Sequence, residues 1–277
     1  MIVNADSAQV YRDLRVLSAA PRDEECAAVE HRLYGIRGGD HPCSAADWAE
    51  LARREIASVH ASGRTPMLVG GTGLYLRTLI DGIAPVPAID AEVRARVRET
   101  PVADNRIKLA TLDPEAAARL NTADTTRINR ALEVILSTGR TLAEWQKNRE
   151  GGIIDKVQLR PLVLLPPRTW LYARCDDRFA RMIDEGAVTE VEALLARKLN
   201  PNLPVMRAIG VRELSNYLLG ETTLDEAVEA GKQATRRYAK RQYTWFAHQP
   251  PQDWPRFREP LDLDRLGEAL ALLQPNV

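Results

Sequence analysis

Cysteine is scarce and badly placed for any framework. Cys26, Cys43 and Cys175 are the only three in 277 residues; they are odd in number, far apart and without a CxxC. That argues against a disulfide scaffold or a structural zinc, and reduced thiols are expected. Long apolar runs are missing as well. No stretch approaches the roughly 18 uninterrupted apolar residues of a membrane helix, and the first residues lack the basic and apolar regions of a signal peptide. The expectation is a cytoplasmic protein with no membrane partner. Net charge is zero, 38 Lys+Arg against 38 Asp+Glu, so bulk electrostatics announces no nucleic-acid partner. Neither internal repeats nor low-complexity tracts occur. What remains, 45% hydrophobic and 27% charged residues, is the composition of a globular chain that can bury one large core or two modest ones.

Periodicity along the chain alternates between strands and helices. In AADWAELARREIASVHAS, Ala45, Trp48, Ala49, Ala52, Ile56 and Val59 recur at helical spacing, and Gly63 stops the helix. Thr65-Pro66-Met67-Leu68-Val69 is then a short apolar run that ends in Gly70-Gly71-Thr72-Gly73 and leads into amphipathic Leu74 to Ile80. Strand, glycine turn and helix in that order build a crevice at the carboxyl end of a parallel sheet. A further strand is expected over 157–165, VQLRPLVLL. From Pro85 to about Asn148 the signals are almost purely helical, including an Asp-Pro start at Asp113-Pro114. This reads as a helical insertion in an α/β core.

The candidates for chemistry are ambiguous one by one. Asp6, at a strand end, suits a turn or helix cap as well as a general base. Gly70 to Gly73 is no P-loop, because no Lys-Ser or Lys-Thr follows. Arg174 and Arg178 suit a salt-bridged helix surface. From Gly231 to Ala247, Lys232, Arg236, Arg237, Lys240 and Arg241 occur without an acid and are interleaved with Tyr238, Tyr243, Trp245 and Phe246. On one helix, Lys232, Arg236 and Lys240 form a stripe, which is either a solvated face or an RNA or phosphate contact.

Taken together, DSAQVYRDL, HRL at His31, VGGTGLYLRTLIDGIAPVP, DTTRINRALEVILSTGR, LYARCDDRFARMIDEGAVTEV, MRAIGVREL and ATRRYAKRQYTWF resemble, in order and spacing, the bacterial tRNA dimethylallyltransferases, also called tRNA isopentenyltransferases. The resemblance runs from the first residues to about Ala247. It implies an α/β fold with a P-loop-NTPase-like parallel sheet core and a helical insertion domain. The core would comprise residues 1–86 and 153–250, the tRNA-binding insertion 87–152, and a tail 251–277. It also implies transfer of a dimethylallyl group from dimethylallyl diphosphate to N6 of adenine 37, beside the anticodon. Asp6 would be the base, Arg178 would face the diphosphate, and Mg2+ would share that load. The tRNA anticodon stem-loop would meet Asp6, Ser7, Ala8 and Gln9, then Thr72 and Arg94, then Thr126, Arg127, Ile128, Asn129 and Arg130. Further contacts would come from Arg207, Ala208, Ile209, Gly210, Val211 and Arg212, and from Lys240, Arg241, Gln242, Tyr243, Thr244, Trp245, Phe246 and Ala247. A monomer is expected.

The family pattern opens with a strand and a P-loop ending in Gly-Lys-Ser or Gly-Lys-Thr. G-x-x-x-x-G-K-[ST] does not occur in these 277 residues, so the expectation is that the first βα unit is missing, and with it a phosphate cradle and a central strand. A start placed too far downstream, a shortened chain and a variant that lost catalysis all fit. The retained Asp6, Arg178 and RNA motifs favour a shortened form of an active enzyme. Three other readings stay open: an inactive tRNA-binding homologue, a prenyltransferase acting on free adenine nucleotides, and a nucleotide kinase.

Overall fold

The computed structural model describes residues 1–273, so the last four residues of the expected tail lie outside the described residues. The chain forms two compact units, residues 78–155 and the remainder. The first strand, β1 (Ile2–Asn4), is followed by helix α1 (Asp23–Ala28), strand β2 (His31–Arg32), helix α2 (Ala45–Ala61), strand β3 (Met67–Val69) and helix α3 (Gly73–Asp81). β1 lies at the centre of a parallel sheet ordered β2-β1-β3. In this sheet Val3 aligns with Arg32 on one side and Leu68 on the other. Successive parallel strands need a crossover, and α2 carries the chain from β2 to β3, on the other side of β1.

Local chemistry explains where α2 begins and ends. Ser44 Oγ accepts from the Asp47 amide at 3.1 Å while the Asp47 carboxylate accepts from the Ser44 amide at 2.9 Å, a reciprocal cap. Gly63 beyond its end has φ +69°, a conformation that L side chains resist. The buried face is Trp48, Ala49, Ala52, Ile56 and Val59, the positions that helical spacing selects. At the outer strand, β3, Met67 and Val69 are 52% and 46% exposed.

The second unit is helical: α4 (Ala91–Glu99), α5 (Val102–Leu112), α6 (Pro114–Arg119), α7 (Thr125–Thr138) and α8 (Leu142–Gln146). Asp113 caps α6 by accepting from the Ala116 amide at 3.0 Å, with Pro114 at the first helical position, where its missing N–H costs nothing. Gly139, at φ +71°, ends α7. The core of this unit is Val97, Leu109, Ala116, Ala117, Ile128, Ala131 and Leu132. Paired backbone bonds between Ile83 and Glu150, both 3.0 Å, join its ends.

The first unit resumes with β4 (Val163–Leu164), α9 (Arg168–Asp184), α10 (Ala187–Ala196), α11 (Val211–Leu218), α12 (Leu224–His248), β5 (Arg256–Phe257) and α13 (Leu266–Ala271). The strand expected over 157–165 is far shorter. Only Val163 and Leu164 pair, parallel to Arg256 and Phe257, because Pro161 has no N–H to give a ladder. Helices α9 and α12 approach closely at Gly231, where a Cβ would lie 2.1 Å from the Phe179 ring. No helix among the described residues is long and apolar enough to cross a membrane.

Candidate active site

The carboxyl ends of β1 and β3 lie side by side, and the site is built on the two turns that leave them. The Ala5 amide donates to the Val69 carbonyl at 2.8 Å, and the Thr72 amide returns a bond to the Ala5 carbonyl at 3.1 Å. The Ser7 amide donates to Thr72 Oγ1 at 2.9 Å, and that hydroxyl donates to Ser7 Oγ at 3.2 Å. Close neighbours crowd the glycines, and at Gly70 the neighbour is backbone that cannot swing away. A Cβ on Gly70 would lie 2.2 Å from the Ala5 carbonyl carbon, one on Gly71 2.1 Å from Gln242 Nε2, and one on Gly73 2.5 Å from the Trp245 ring. The glycine turn is therefore held between the Asp6 loop and one face of α12, where Gln242 Nε2 also donates to the Gly71 carbonyl at 3.0 Å.

These elements surround a cleft of about 400 Å3 in the first unit. Asp6 lies in its wall, with Oδ1 accepting from the Ala8 amide at 2.8 Å. Burial raises the Asp6 pKa above the ordinary carboxylate value, while the amides of Ala8 and Gln9 and the charge of Arg178 pull it back. A carboxylate whose pKa is raised accepts a proton more strongly than a free aspartate, which suits a general base. Arg178, Arg207 and Arg241 share the cleft, and so do Leu14, Leu17, Phe179 and Met182. Arg178 and Arg207 form no ion pair among the described residues, whereas Arg236 is held by Asp176 at 2.6 Å and by Glu229 at 3.1 Å. The cleft lining therefore combines three arginines and a group of apolar side chains with one half-buried carboxylate.

The structure sorts the residues singled out from the sequence. Asp6, Ser7, Ala8, Gln9, Arg178, Arg207, Ala208, Ile209, Arg241 and Gln242 line the cleft together, and Thr72 backs it. Lys240 and Thr244 are exposed on α12, with Tyr243 beneath the Arg168 guanidinium at 4.8 Å and Trp245 edge-on to Phe246 at 4.8 Å. Ala247 is half-buried and Arg212 exposed. Gly210 and Val211 are buried; Val211 is core, so neither offers a side chain to RNA. The expected stripe of Lys232, Arg236 and Lys240 is interrupted, because Arg236 is engaged by two carboxylates.

In the helical unit Ile128 is fully buried, which corrects its assignment as an RNA contact. An apolar residue one turn into an amphipathic helix faces the core. Asn129 Oδ1 accepts from buried Asn105 at 3.0 Å, so it too is held inward. Arg94, Thr126 and Arg127 are exposed. Burial, followed by the charges of Arg94 and Arg98, lowers the Arg130 pKa against the pull of Glu133. Arg94, Arg98 and Arg130 thus form one cationic group, with buried Glu133 accepting from Arg98 Nε at 3.0 Å. Ile128→Ala is expected to destabilise this unit by about 2–5 kcal/mol, read as a lower melting temperature, with stem-loop affinity unchanged at temperatures where the unit remains folded.

Sequence reasoning missed Arg98 and the apolar lining of the cleft, because nothing in their local pattern separates them from helix surface or core. It also missed a role for Tyr238. Burial raises that phenol's pKa, with the Asp6 charge adding to the effect, and its hydroxyl meets Thr72 and Gln242. Its position in an aromatic stretch was the available signal.

Comparison with known proteins adds to this geometry. The IPP transferase family profile matches residues 9–249. The tRNA dimethylallyltransferase of Sphingopyxis alaskensis is 58% identical over 276 residues, covering 100% of this chain and 90% of that protein. That of Novosphingobium aromaticivorans is 60% identical over 264 residues, 95% and 94% of the two chains. Among solved structures, the full-length tRNA isopentenylpyrophosphate transferase from Bacillus halodurans superposes with a TM-score of 0.68 at 33% identity, covering 98% of this chain and 85% of that one. A eukaryotic dimethylallyltransferase acting on tRNA gives 0.73 at 25% identity, over 88% and 62%.

Proposed function

The chain belongs to the IPP transferase family, and from that premise we propose that it transfers a dimethylallyl group from dimethylallyl diphosphate to N6 of adenine 37 in tRNA. The observation that carries this reading is a cleft lined by arginines, apolar side chains and the half-buried Asp6 carboxylate. A five-carbon chain fits against Leu14, Leu17, Phe179 and Met182, and its diphosphate is met by Arg178, Arg207 and Arg241. The adenine leaves the anticodon-loop stack to reach Asp6, since a stacked base cannot present its amine to a pocket. Its nitrogen bonds to the allylic carbon as the carbon–oxygen bond breaks. The Asp6 carboxylate takes the amine proton, and the arginines stabilise the charge growing on the diphosphate.

Asp6 is the one carboxylate in the cleft lining, and no three His, Cys, Asp or Glu side chains converge among the described residues. These side chains alone do not build a magnesium cage. Bound with the donor, magnesium would be held by diphosphate oxygens and water and would share the charge growing on the leaving group.

The test is transfer itself. An anticodon stem-loop with adenine at position 37 is mixed with excess protein, saturating dimethylallyl diphosphate and magnesium, and its nucleosides are analysed. N6-dimethylallyl adenosine is the expected product. Turnover is expected to be slow with these 277 residues, which contain no G-x-x-x-x-G-K-[ST] cradle. Tight stem-loop binding without product would favour an inactive homologue, and transfer to adenosine monophosphate a nucleotide prenyltransferase.

Affinity is expected to come from phosphates neutralised by Lys240 and Arg237 on α12 and by the arginines of the helical unit, while the flipped base supplies specificity. Arg241 is set apart from this group because it lies in the cleft. Replacing Arg237 and Lys240 by Ala is expected to weaken stem-loop binding and to flatten the slope of log affinity against log salt by about 0.7–0.9 for each phosphate no longer neutralised. The single-turnover rate at saturating RNA should persist. Parallel slopes for parent and variant would place both side chains away from the RNA backbone.

A further inference from the structure

We propose that Asn4 is a positioning residue that fixes the backbone of Asp6, and through it the direction of the Asp6 carboxylate. The proposal rests on the reading of Asp6 as the base. Asn4 ends β1 and is fully buried, a place where an apolar side chain would carry no desolvation cost. Its amide is instead shared between two turns. Oδ1 accepts from the Asp6 amide at 2.7 Å, and Nδ2 donates to the Asp6 carbonyl at 3.0 Å. One side chain therefore holds both backbone polar groups of the residue that carries the carboxylate. The second Nδ2 hydrogen goes to the Leu33 carbonyl, also at 3.0 Å.

Leu33 gives that last bond its meaning. It is a bulky, buried residue at φ +65°, a conformation that persists only where its surroundings impose it. Asn4 thus ties the turn leaving β1 to the strained turn leaving β2. Its own carbonyl accepts from Trp48 Nε1 at 2.9 Å, and the Trp48 ring stacks on Tyr75 at 4.7 Å and 16°. The Asp6 backbone is anchored through Asn4 to a rigid aromatic pair. With that backbone held, only the two side-chain torsions of Asp6 remain to aim its carboxylate, and aim is what a proton-accepting group needs at the moment of bond formation.

Asn4→Ser keeps a short oxygen able to accept from the Asp6 amide but loses the tie to Leu33. Asn4→Ala loses both. Each is made in the parent and in Asp6→Ala, and the single-turnover rate, stem-loop Kd and melting temperature are measured. In the parent, Asn4→Ala is expected to slow the chemical step about 100-fold, as a misplacement near 1 Å does, and Asn4→Ser about tenfold, with Kd moving less than threefold. In the Asp6→Ala background neither should slow it further. Equal losses in both backgrounds, an unchanged rate for Asn4→Ala in the parent, or an Asn4→Ser chain that does not fold would each make Asn4 a structural residue and overturn the proposal. Failure of the base assignment has a separate signature: Asp6→Ala would then leave the rate unchanged, and the role of Asn4 would fall with it.

Discussion

Asp6→Ala is expected to lower the single-turnover rate of dimethylallyl transfer by about two to four orders of magnitude, the contribution of a positioned general base, while stem-loop affinity changes little. The loss should sit in the chemical step, because the carboxylate gives the adenine amine a proton acceptor rather than a binding surface. The pH profile supplies a second measure. A base acts only when ionised, so the parent rate should rise with pH through the Asp6 pKa, which burial places above the ordinary aspartate value. Arg178 lowers that pKa, so removing its charge in Arg178→Gln should move the rising limb to higher pH, apart from any loss in leaving-group stabilisation. In Asp6→Ala the limb should vanish. An unchanged rate in Asp6→Ala would return Asp6 to the role of a turn residue, held by its bond to Ala8.

Gly70→Ala should be the most damaging single methyl group that can be added near the site. Its Cβ would meet Ala5 backbone atoms at 2.2, 2.4 and 2.7 Å, and no flexible side chain is there to yield. The Ala5 turn must move, and Asp6 moves with it. Overpacking of this kind costs about 1–3 kcal/mol, read as a drop of several degrees in melting temperature, and the transfer rate should fall by at least 100-fold, as for a misplacement of about 1 Å. Gly267→Ala is the control. Nothing lies within 4 Å of a Cβ at that position, and alanine favours the helix by about 1 kcal/mol, so stability should hold or rise slightly and the rate should stay at the parent value. A normal rate in Gly70→Ala would mean that the Asp6 loop tolerates displacement and that the close approach has no bearing on catalysis.

Much of the secondary structure could be read directly from residues within one or two turns of each other. Gly63 ends α2, Asp113 and Pro114 open α6, and the run 65–80 announces strand, glycine turn and helix. Each of these signals is local, since a cap or a left-handed glycine acts on backbone groups three or four residues away. Seven ordered motifs also identified the family. Sequence alone could not say which side chains of a motif face outward. Ile128 and Val211 lie within stretches read as RNA contacts, yet both are core, because burial is decided by the element packed against the helix. Arg236 sits in a basic stripe but is taken up by Asp176, 60 positions earlier. The short β4 depended on a partner strand more than 90 residues away.

The site itself is the clearest division between the two. The sequence determined that Asp6, the glycine turn and the basic aromatic helix exist, and it determined their residue types. Tertiary structure alone decided that they meet: parallel pairing of β1 with β3 places Ala5 against Gly70, and α12 closes on Gly71 through Gln242, 171 positions away. Such contacts form only when the ends of long loops come together, at an entropic cost that no local pattern encodes. The Asp6 pKa follows the same logic. Its aspartate is written in the chain, but the burial that raises its pKa and the Arg178 charge that opposes that rise exist only once β1, α9 and α12 surround one cleft.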